Sequence, residues 1–372
     1  MAERQEQKFL KNLYWKNDHL EFIDQTKLPE KLEIVKVKDL DTFIDAIKTL
    51  KIRGAPLIGV AVGYALALYA RNLEKVGIRG AILKEKLKDA SDRLLKTRPT
   101  GVNLQNVLSR MLKTVESTGD NFFEALINEA IQIEKEEEDK SRHIAENGER
   151  VVPEDAKILT ICNTGALAAP GFGTAFAVIR KSYLAGKVEE VYALETRPLL
   201  QGARLTMWEM KNHGIPAILV TDSMAAPLMK QGKINFVITG ADRIAMNGDT
   251  ANKIGTLNLA LLAYHFKIPF FIAAPLSSFD LRARSGTDIP IEERDPEEVT
   301  SINGIRVAPR DVRALNYAFD VTPASFISGI ITERGVLYPP LKDSIRKIFS
   351  LEKFTKGGQN EENSDRTVTP DF

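Results

Sequence analysis

The chain has 372 residues, of which 44% are hydrophobic and 27% charged, which is the composition of an ordinary globular protein. Its formal net charge of +1 gives no electrostatic reason to expect a nucleic-acid partner. The single cysteine excludes an internal disulfide and, with only 4 histidines, argues against a dedicated zinc site. Because the first residues lack the apolar core of a secretion signal, we expect a cytoplasmic protein without a membrane span.

Residues 1–150 have a mainly helical pattern after a short extended start. Amphipathic periodicity predicts helices over 39–50, 81–97 and 122–148. Asp39 or Asp41 is the predicted cap of the first helix. The apolar run 57–70 is shorter than the roughly 20 residues needed to span a bilayer, so it predicts a buried helix. The charge run 134–140 predicts a solvated helix face with ion pairs one turn apart.

From residue 151 onward, short apolar runs alternate with helical segments. The runs are 157–162, 188–194, 217–222, 236–242 and 269–275. Buried strands that alternate with helices indicate a parallel sheet covered on both faces, and right-handed crossovers make such a sheet doubly wound. We therefore predict an α/β protein in which a mainly helical domain, 1–150, precedes a Rossmann-like domain, 151–355, with a mostly parallel sheet. The polar residues 356–372 predict a disordered tail.

The only cysteine and one aspartate each follow a predicted strand. Cys162 ends the first strand and Asp242 ends the fourth, so both should reach the carboxyl edge of the sheet, where ligands bind in such folds. A thiol and a carboxyl group that face one small molecule form a candidate acid–base pair. The alternatives are that Cys162 is a small core residue and that Asp242 caps a turn.

Four cations stand where the sequence predicts helix starts. They are Arg53 before Pro56, Arg98 before a cap at Thr100, Arg204, and Lys253 after a cap at Asp249 or Thr250. Because a helix start already carries about half a positive charge, a cation there is unfavourable unless an anion is near. The glycine-rich turn after Cys162, before a helix expected near Gly173, would add backbone N–H groups for an anion. The pattern predicts one convergent phosphate site, with scattered surface cations as the alternative.

Seven segments resemble one enzyme family. In chain order they are IRGAPLIGV, RPTGVNL, CNTGALA, ETRPLLQGARLT, ITGADRIAMNGDTANKIGT, IPIEERDPEEV and FDVTPA. Together they resemble the methylthioribose-1-phosphate isomerases, whose superfamily includes the regulatory subunits of initiation factor 2B. The resemblance implies a homodimeric enzyme of methionine salvage that converts the sugar phosphate 5-methylthioribose 1-phosphate to 5-methylthioribulose 1-phosphate without a cofactor or metal.

The resemblance also implies a role for individual residues. Asp242 matches the acid that protonates the ring oxygen, and Cys162 matches the partner that accepts the C2 proton or stabilises the transition state. The positions that match the family's substrate-binding residues are Arg53, Gly54, Ala55, Arg98, Gln201, Asn252 and Lys253. Arg204 matches none of them. An aspartate that acts as an acid near neutral pH needs a pKa raised by a desolvated pocket.

The chain departs from the family pattern at three positions. Ile161 stands where histidine is common, Tyr317 where proline is commoner, and Met246 where a small residue is usual. None of these is the proposed acid or base, but they leave selectivity for the methylthio group open. Two alternatives remain: a ribose-1,5-bisphosphate isomerase, which would need further cations, and a non-catalytic regulatory subunit, which would be expected to lose the thiol or the carboxyl group.

Overall fold

The computed structural model describes residues 11–98 and 101–350. Its N-terminal part joins a small antiparallel sheet to five helices. The sheet contains β1 (Leu13–Lys16), β2 (His19–Ile23) and β3 (Ile34–Val37). The helices are α1 (Leu40–Lys48), α2 (Ala55–Lys75), α3 (Gly80–Leu95), α4 (Val102–Ser117) and α5 (Phe122–Glu149). The helices predicted over 39–50, 81–97 and 122–148 are thus confirmed, and Asp39 caps α1 by accepting the Thr42 N–H (2.8 Å).

The apolar run 57–70 lies inside α2, which packs against α4 and α5 in the helical core. Among the described helices, α2 alone is long and apolar enough to cross a bilayer, and most of its apolar stretch is buried within the protein. Tyr64 on this helix is 2% exposed and donates a hydrogen bond to Glu134 on α5 (2.6 Å). The prediction of a buried helix is therefore confirmed.

The charge run on α5 differs from the prediction of a fully solvated face. The side chains of Glu134 and Glu137 are only 12% and 14% exposed. Glu134 pairs with Lys11 (2.9 Å) as well as with the Tyr64 hydroxyl, and Glu137 pairs with Lys140 (2.5 Å). The run is half-buried because α5 packs on α2 along one side and on α6 (Ala175–Leu184) along another.

The C-terminal part is built on a seven-stranded sheet. Its strands, in spatial order, are β16 (Gly335–Leu337), β15 (Gly329–Thr332), β10 (Phe270–Ala273), β7 (Phe236–Thr239), β4 (Ala156–Thr160), β5 (Val188–Leu194) and β6 (Ala217–Val220). Only β16, at one edge, is antiparallel. The helices that follow strands are α6, α7 (Met207–Asn212), α8 (Ala225–Lys230) and α9 (Thr256–His265). All five predicted strands are present, so the mixed α/β fold with a mostly parallel sheet is confirmed.

Both faces of this sheet are covered, as neighbouring residues of β4 show. Ile158 packs with Phe176 and Phe236 in one apolar cluster, whereas Leu159 packs in a second cluster on the other face. Successive side chains of a strand point to opposite faces, so both must be apolar when both are covered. The chain continues from β4 to β5 and β6 on one side and returns to β7 and β10 on the other, which leaves a crevice at the carboxyl ends of β4 and β7.

A second sheet corrects one prediction. It contains β11 (Phe279–Asp280), β8 (Arg243–Ala245), β9 (Thr250–Lys253) and β14 (Phe319–Thr322), so Lys253 ends a strand and does not begin a helix. The helix begins at Thr256 with Gly255 as its cap. Asp249 does not cap it but accepts the N–H groups of Gly286 (2.9 Å) and Ala324 (2.9 Å). The dipeptide Asn247-Gly248, a frequent hairpin turn, is the signal that could have predicted β8 and β9.

Three further elements form an arm, whose residues Glu297, Glu298 and Ser301 line the crevice. These are α10 (Glu297–Thr300), β12 (Ser301–Ile302) and β13 (Ile305–Arg306), the last two paired as a short hairpin. Helical residues 341–350 then pack on the second cluster of the sheet. The predicted tail, 356–372, lies outside the described residues.

Candidate active site

A cavity of about 640 Å³ lies at the carboxyl edge of the large sheet, between that edge, the start of α2 and the arm. It brings together all nine residues that the sequence singled out for catalysis or binding. These are Cys162, Asp242, Arg53, Gly54, Ala55, Arg98, Gln201, Asn252 and Lys253, and Arg204 also lines the cavity. Residues separated by up to 200 positions in the chain therefore share one ligand-sized space.

Cys162 follows β4 in a backbone conformation that favours glycine. Its φ is +66°, in the left-handed region, which costs a non-glycine residue roughly 1–2 kcal/mol. Two threonines hold it there: Thr196 Oγ1 accepts the Cys162 N–H (2.9 Å), and Thr206 Oγ1 donates to the Cys162 carbonyl (2.6 Å). Strain of this kind persists where the surrounding structure enforces it, and it is concentrated at functional positions. The conformation argues against Cys162 being an ordinary core residue.

Asp242 and Lys253 both line the cavity, Asp242 just before β8 and Lys253 at the end of β9. Enclosure by protein raises the pKa of Asp242, although the charges of Lys253, Arg98 and Arg53 act in the opposite direction. The expected direction for an acid is thus confirmed. Burial lowers the pKa of Lys253, which is 8% exposed, while the charges of Cys162 and Asp242 favour its ammonium form. The candidate thiol and carboxyl group thus share one neighbouring amine in the cavity lining.

Two arginines add positive charge to the same space. Arg53 Nη2 donates to the side-chain oxygen of Asn163 and, at 3.4 Å, to its backbone carbonyl. Arg53 Nε is buried without a partner among the described residues. Arg98 lies 3.9 Å from Glu292, its nearest carboxylate among the described ion pairs. Arg53, Arg98 and Lys253 line one cavity, and the charge of each opposes the rise in the pKa of Asp242. The structure therefore supports a single anion site and not scattered surface cations.

Arg204 differs from the other three cations. Its guanidinium donates to the backbone carbonyls of Gln25 (2.6 Å), Leu28 (3.2 Å) and Leu199 (3.3 Å). These bonds join the loop after β2 to the π-helical turn Gly202–Thr206 that leads into α7. The guanidinium thus binds main chain, in agreement with its lack of a counterpart among the family's binding residues.

The helix-start argument holds for Arg53 but not for every cation. Arg53 directly precedes α2, where Gly54 is the cap and a proline occupies the first turn. The helix after Arg98 is capped by Gly101; the predicted cap, Thr100, lies outside the described residues. The prediction that Lys253 stands at a helix start is wrong, because Lys253 ends a strand. The helix after Cys162 begins at Ala175, two residues beyond the predicted start.

The uncharged residues that the resemblance assigns to substrate binding also line the cavity. Gly54 has φ +92°, and a Cβ there would lie 2.1 Å from the carbonyl oxygen of Ala168, so the loop after Cys162 requires glycine. Asn252 donates to the hydroxyls of Thr239 (3.0 Å) and Thr256 (2.9 Å), which leaves its oxygen for other partners. Gln201 has its side-chain oxygen buried without a partner among the described residues.

Sequence reasoning missed Asn163 and Glu209. Asn163 Nδ2 donates to Glu209 Oε2 and its oxygen accepts from Arg53, so it connects a buried carboxyl group to the anion site. Glu209 lies on α7 with no exposed surface. Nothing in the local pattern of α7 distinguishes Glu209 from a surface residue, because its burial depends on the loop that folds over it.

The chain is similar to known proteins over most of its length. Residues 51–339 match the model of the initiation factor 2 subunit family. A methylthioribose-1-phosphate isomerase of Desulforamulus reducens is 47% identical over 345 residues, which cover 92% of this chain and 99% of that protein. These matches confirm the resemblance derived from the seven segments.

Two solved structures extend the comparison. The crystal structure of 5-methylthioribose 1-phosphate isomerase from Pyrococcus horikoshii OT3 has a TM-score of 0.86 and 42% identity, covering 94% of this chain and 98% of that one. The translation initiation factor eIF-2B subunit delta from A. fulgidus has a TM-score of 0.81 and 40% identity, covering 92% and 99%. From the family model, the sequence identity and the shared fold, the chain belongs to the initiation factor 2 subunit family.

Proposed function

We propose that this protein is the cytoplasmic isomerase that converts 5-methylthioribose 1-phosphate to 5-methylthioribulose 1-phosphate in methionine salvage. Relatives named for this reaction match nearly the whole chain. The observation that carries the proposal is the single cavity that Cys162, Asp242 and Lys253 line together. A thiol, a protonated carboxyl group and buried cations are what a sugar phosphate isomerase of this kind needs.

The proposed reaction has two steps. Asp242, whose pKa is raised by burial, donates its proton to the ring oxygen as the bond from that oxygen to C1 breaks. The hydrogen on C2 then moves to C1, the C2 hydroxyl gives its proton to the Asp242 carboxylate left by the first step, and a carbonyl forms at C2. Cys162 assists this step either by accepting the C2 proton or by stabilising the transition state of a hydride shift. The reaction is an intramolecular aldose–ketose conversion, in which the phosphate stays attached throughout.

Seven residues hold the substrate in this proposal: Arg53, Gly54, Ala55, Arg98, Gln201, Asn252 and Lys253. The N-terminal end of α2 lies at the same cavity, since Arg53, Gly54 and Ala55 all line it, and a helix start favours an anion. Charge-assisted hydrogen bonds from guanidinium and ammonium groups are the strong contacts available to a phosphate. The small-molecule partner is thus a monophosphorylated sugar.

The domain organisation and assembly are also proposals. The order β6-β5-β4-β7-β10-β15 is the 3-2-1-4-5-6 order of dinucleotide-binding folds, which supports a Rossmann-like domain over 151–355 after a helical domain over 1–150. Exposed apolar side chains support a homodimer. They include Ile305 in the arm, Leu315, and Leu219 in the edge strand β6.

Two alternatives are disfavoured by particular contacts. A bisphosphate substrate would need a further unpaired cation, but Arg294, which also lines the cavity, is paired with Glu292 (3.1 Å) and Glu298 (2.6 Å). A regulatory subunit is suggested by the name of the relative from A. fulgidus. The presence of both Cys162 and Asp242 in one cavity favours the enzyme.

The test is turnover of 5-methylthioribose 1-phosphate by the purified protein without added cofactor. Cys162→Ser and Asp242→Asn should each lower turnover by about 10²- to 10⁴-fold, the usual contribution of acid–base groups, with unchanged circular dichroism. Glu333→Gln, which alters a carboxyl group outside the cavity, is the matched control. An inactive wild-type protein would favour the regulatory alternative, and full activity of either cavity variant would remove the proposed mechanism.

A further inference from the structure

Glu209 is a buried carboxyl group behind the anion site, and the proposed reaction does not use it. Its Oε1 accepts the N–H of Leu167 (3.1 Å) and its Oε2 accepts Nδ2 of Asn163. A Cβ at Gly165 would lie 2.3 Å from Glu209 Oε2, so the loop after Cys162 closes directly over the carboxyl group. Both oxygens therefore accept hydrogen bonds from the loop that carries the candidate thiol.

Asn163 links this carboxyl group to Arg53. The Asn163 side chain donates through Nδ2 to Glu209 and accepts through Oδ1 from Arg53 Nη2. A carboxylate can only accept and a guanidinium can only donate, so these two neighbours together determine which way the amide points. If the amide were reversed, its NH₂ group would face the NH₂ group of Arg53.

We propose that Glu209 is a positioning residue for the phosphate site. By accepting from Asn163, it holds the amide oxygen toward Arg53 and so keeps the guanidinium in place at the cavity. The same network reaches the thiol loop, because Asn163 Nδ2 also lies 3.3 Å from Thr206 Oγ1, which donates to the Cys162 carbonyl (2.6 Å). The inference rests on the proposed function only in assigning a phosphate to Arg53.

The electrostatics agree with this geometry. Burial raises the pKa of Glu209 to about 7, while the hydrogen bonds from Asn163 and Leu167 and the charge of Arg53 favour the carboxylate. The positive charge of Arg53 opposes the rise in the pKa of Glu209. The cation and the carboxylate therefore interact through one amide, with no direct contact between them.

The test uses two variants and inorganic phosphate as the probe. In Glu209→Gln, the new amide accepts from Leu167 and presents NH₂ to Asn163, so the Asn163 amide must reverse. Arg53 then loses its side-chain acceptor and keeps only the longer contact to the Asn163 backbone carbonyl (3.4 Å). In the double variant Glu209→Gln/Asn163→Asp, the aspartate accepts from both Gln and Arg53, and the pairing is complete again. Titration calorimetry should show phosphate affinity about tenfold weaker in the single variant, and within threefold of wild type in the double variant.

Two controls isolate the effect. Arg53→Met should weaken phosphate binding by itself, and adding Glu209→Gln to it should change the affinity no further, since the two residues act in one network. Glu333→Gln changes a half-buried carboxyl group that accepts the Leu276 N–H (2.9 Å) on another network, and it should leave phosphate affinity unchanged.

Three results would overturn the inference: equal affinity in wild type and Glu209→Gln, no recovery in the double variant, or phosphate binding that does not depend on Arg53. Should the single variant not fold, the double variant decides alone, because a tenfold loss there contradicts the polarity argument. Phosphate binding needs no turnover, so an inactive wild-type protein would refute the proposed function without affecting this test.

Discussion

Replacing Glu209 by glutamine should change how the stability of the fold depends on pH. Burial raises the pKa of Glu209 from 4.5 to about 7. The folded protein therefore binds this proton more tightly than the unfolded chain does, and the free energy of unfolding falls as pH rises between these two values. Each pKa unit corresponds to about 1.4 kcal/mol, so the ionised carboxylate disfavours the folded state by about 3 kcal/mol above pH 7.

Glutamine does not titrate, so this loss is absent from the Glu209→Gln variant. The free energy of unfolding of the variant minus that of wild type should rise by about 3 kcal/mol from pH 4.5 to 7.5 and then level off. Urea unfolding at several pH values measures the difference, followed by fluorescence of Trp208, which neighbours Glu209 on α7. Other titrating groups are common to both proteins and cancel. A difference that stays constant, or that falls with pH, would refute the assignment of a buried carboxyl group with a raised pKa.

The remaining predictions concern Lys253 and Gly54. Lys253→Met should weaken phosphate binding tenfold or more through loss of a charged hydrogen bond, yet leave the ligand-free protein at least as stable at neutral pH, because burial lowers the pKa of this ammonium. That stability difference should shrink as pH approaches 10.5, and thermal melts showing a clearly destabilised ligand-free variant would contradict it. Gly54→Ala should destabilise by about 2 kcal/mol or more, through its positive φ and the contact with the Ala168 carbonyl. Gly77→Ala also has a positive φ but meets nothing within 4 Å, so the larger loss at Gly54 in denaturant melts measures the contact.

In the proposed phosphate site, burial and charge both favour a bound anion. Lys253 lies in protein surroundings where an unneutralised cation is unfavourable, so an anion that enters recovers part of that free energy. The burial that raises the pKa of Asp242 also makes it a weaker counter-charge for Lys253. The same desolvation thus prepares the acid for proton donation and leaves the cations available for the substrate.

Some elements could be predicted from the local sequence pattern alone, because the signal that defines them lies within the element itself. The periodicity of α1, α3 and α5 and the cap at Asp39 are visible in the chain itself. The strands of the large sheet were predictable because both of their faces are covered, so each is a continuous apolar run. The hairpin of β8 and β9 was missed because its residues alternate weakly and its partners, β11 and β14, come much later in the chain.

The sequence by itself determined the helical and α/β parts, the family, and which strand ends carry the thiol and the carboxyl group. Tertiary structure alone decided that Arg204 binds main chain, that Lys253 belongs to a strand, and that Glu209 is buried beneath the loop after Cys162. The physical reason is that a side chain's solvation and hydrogen-bond partners are set by segments distant in the chain. Periodicity reports only which face of an element is covered, and not which donor or acceptor covers it.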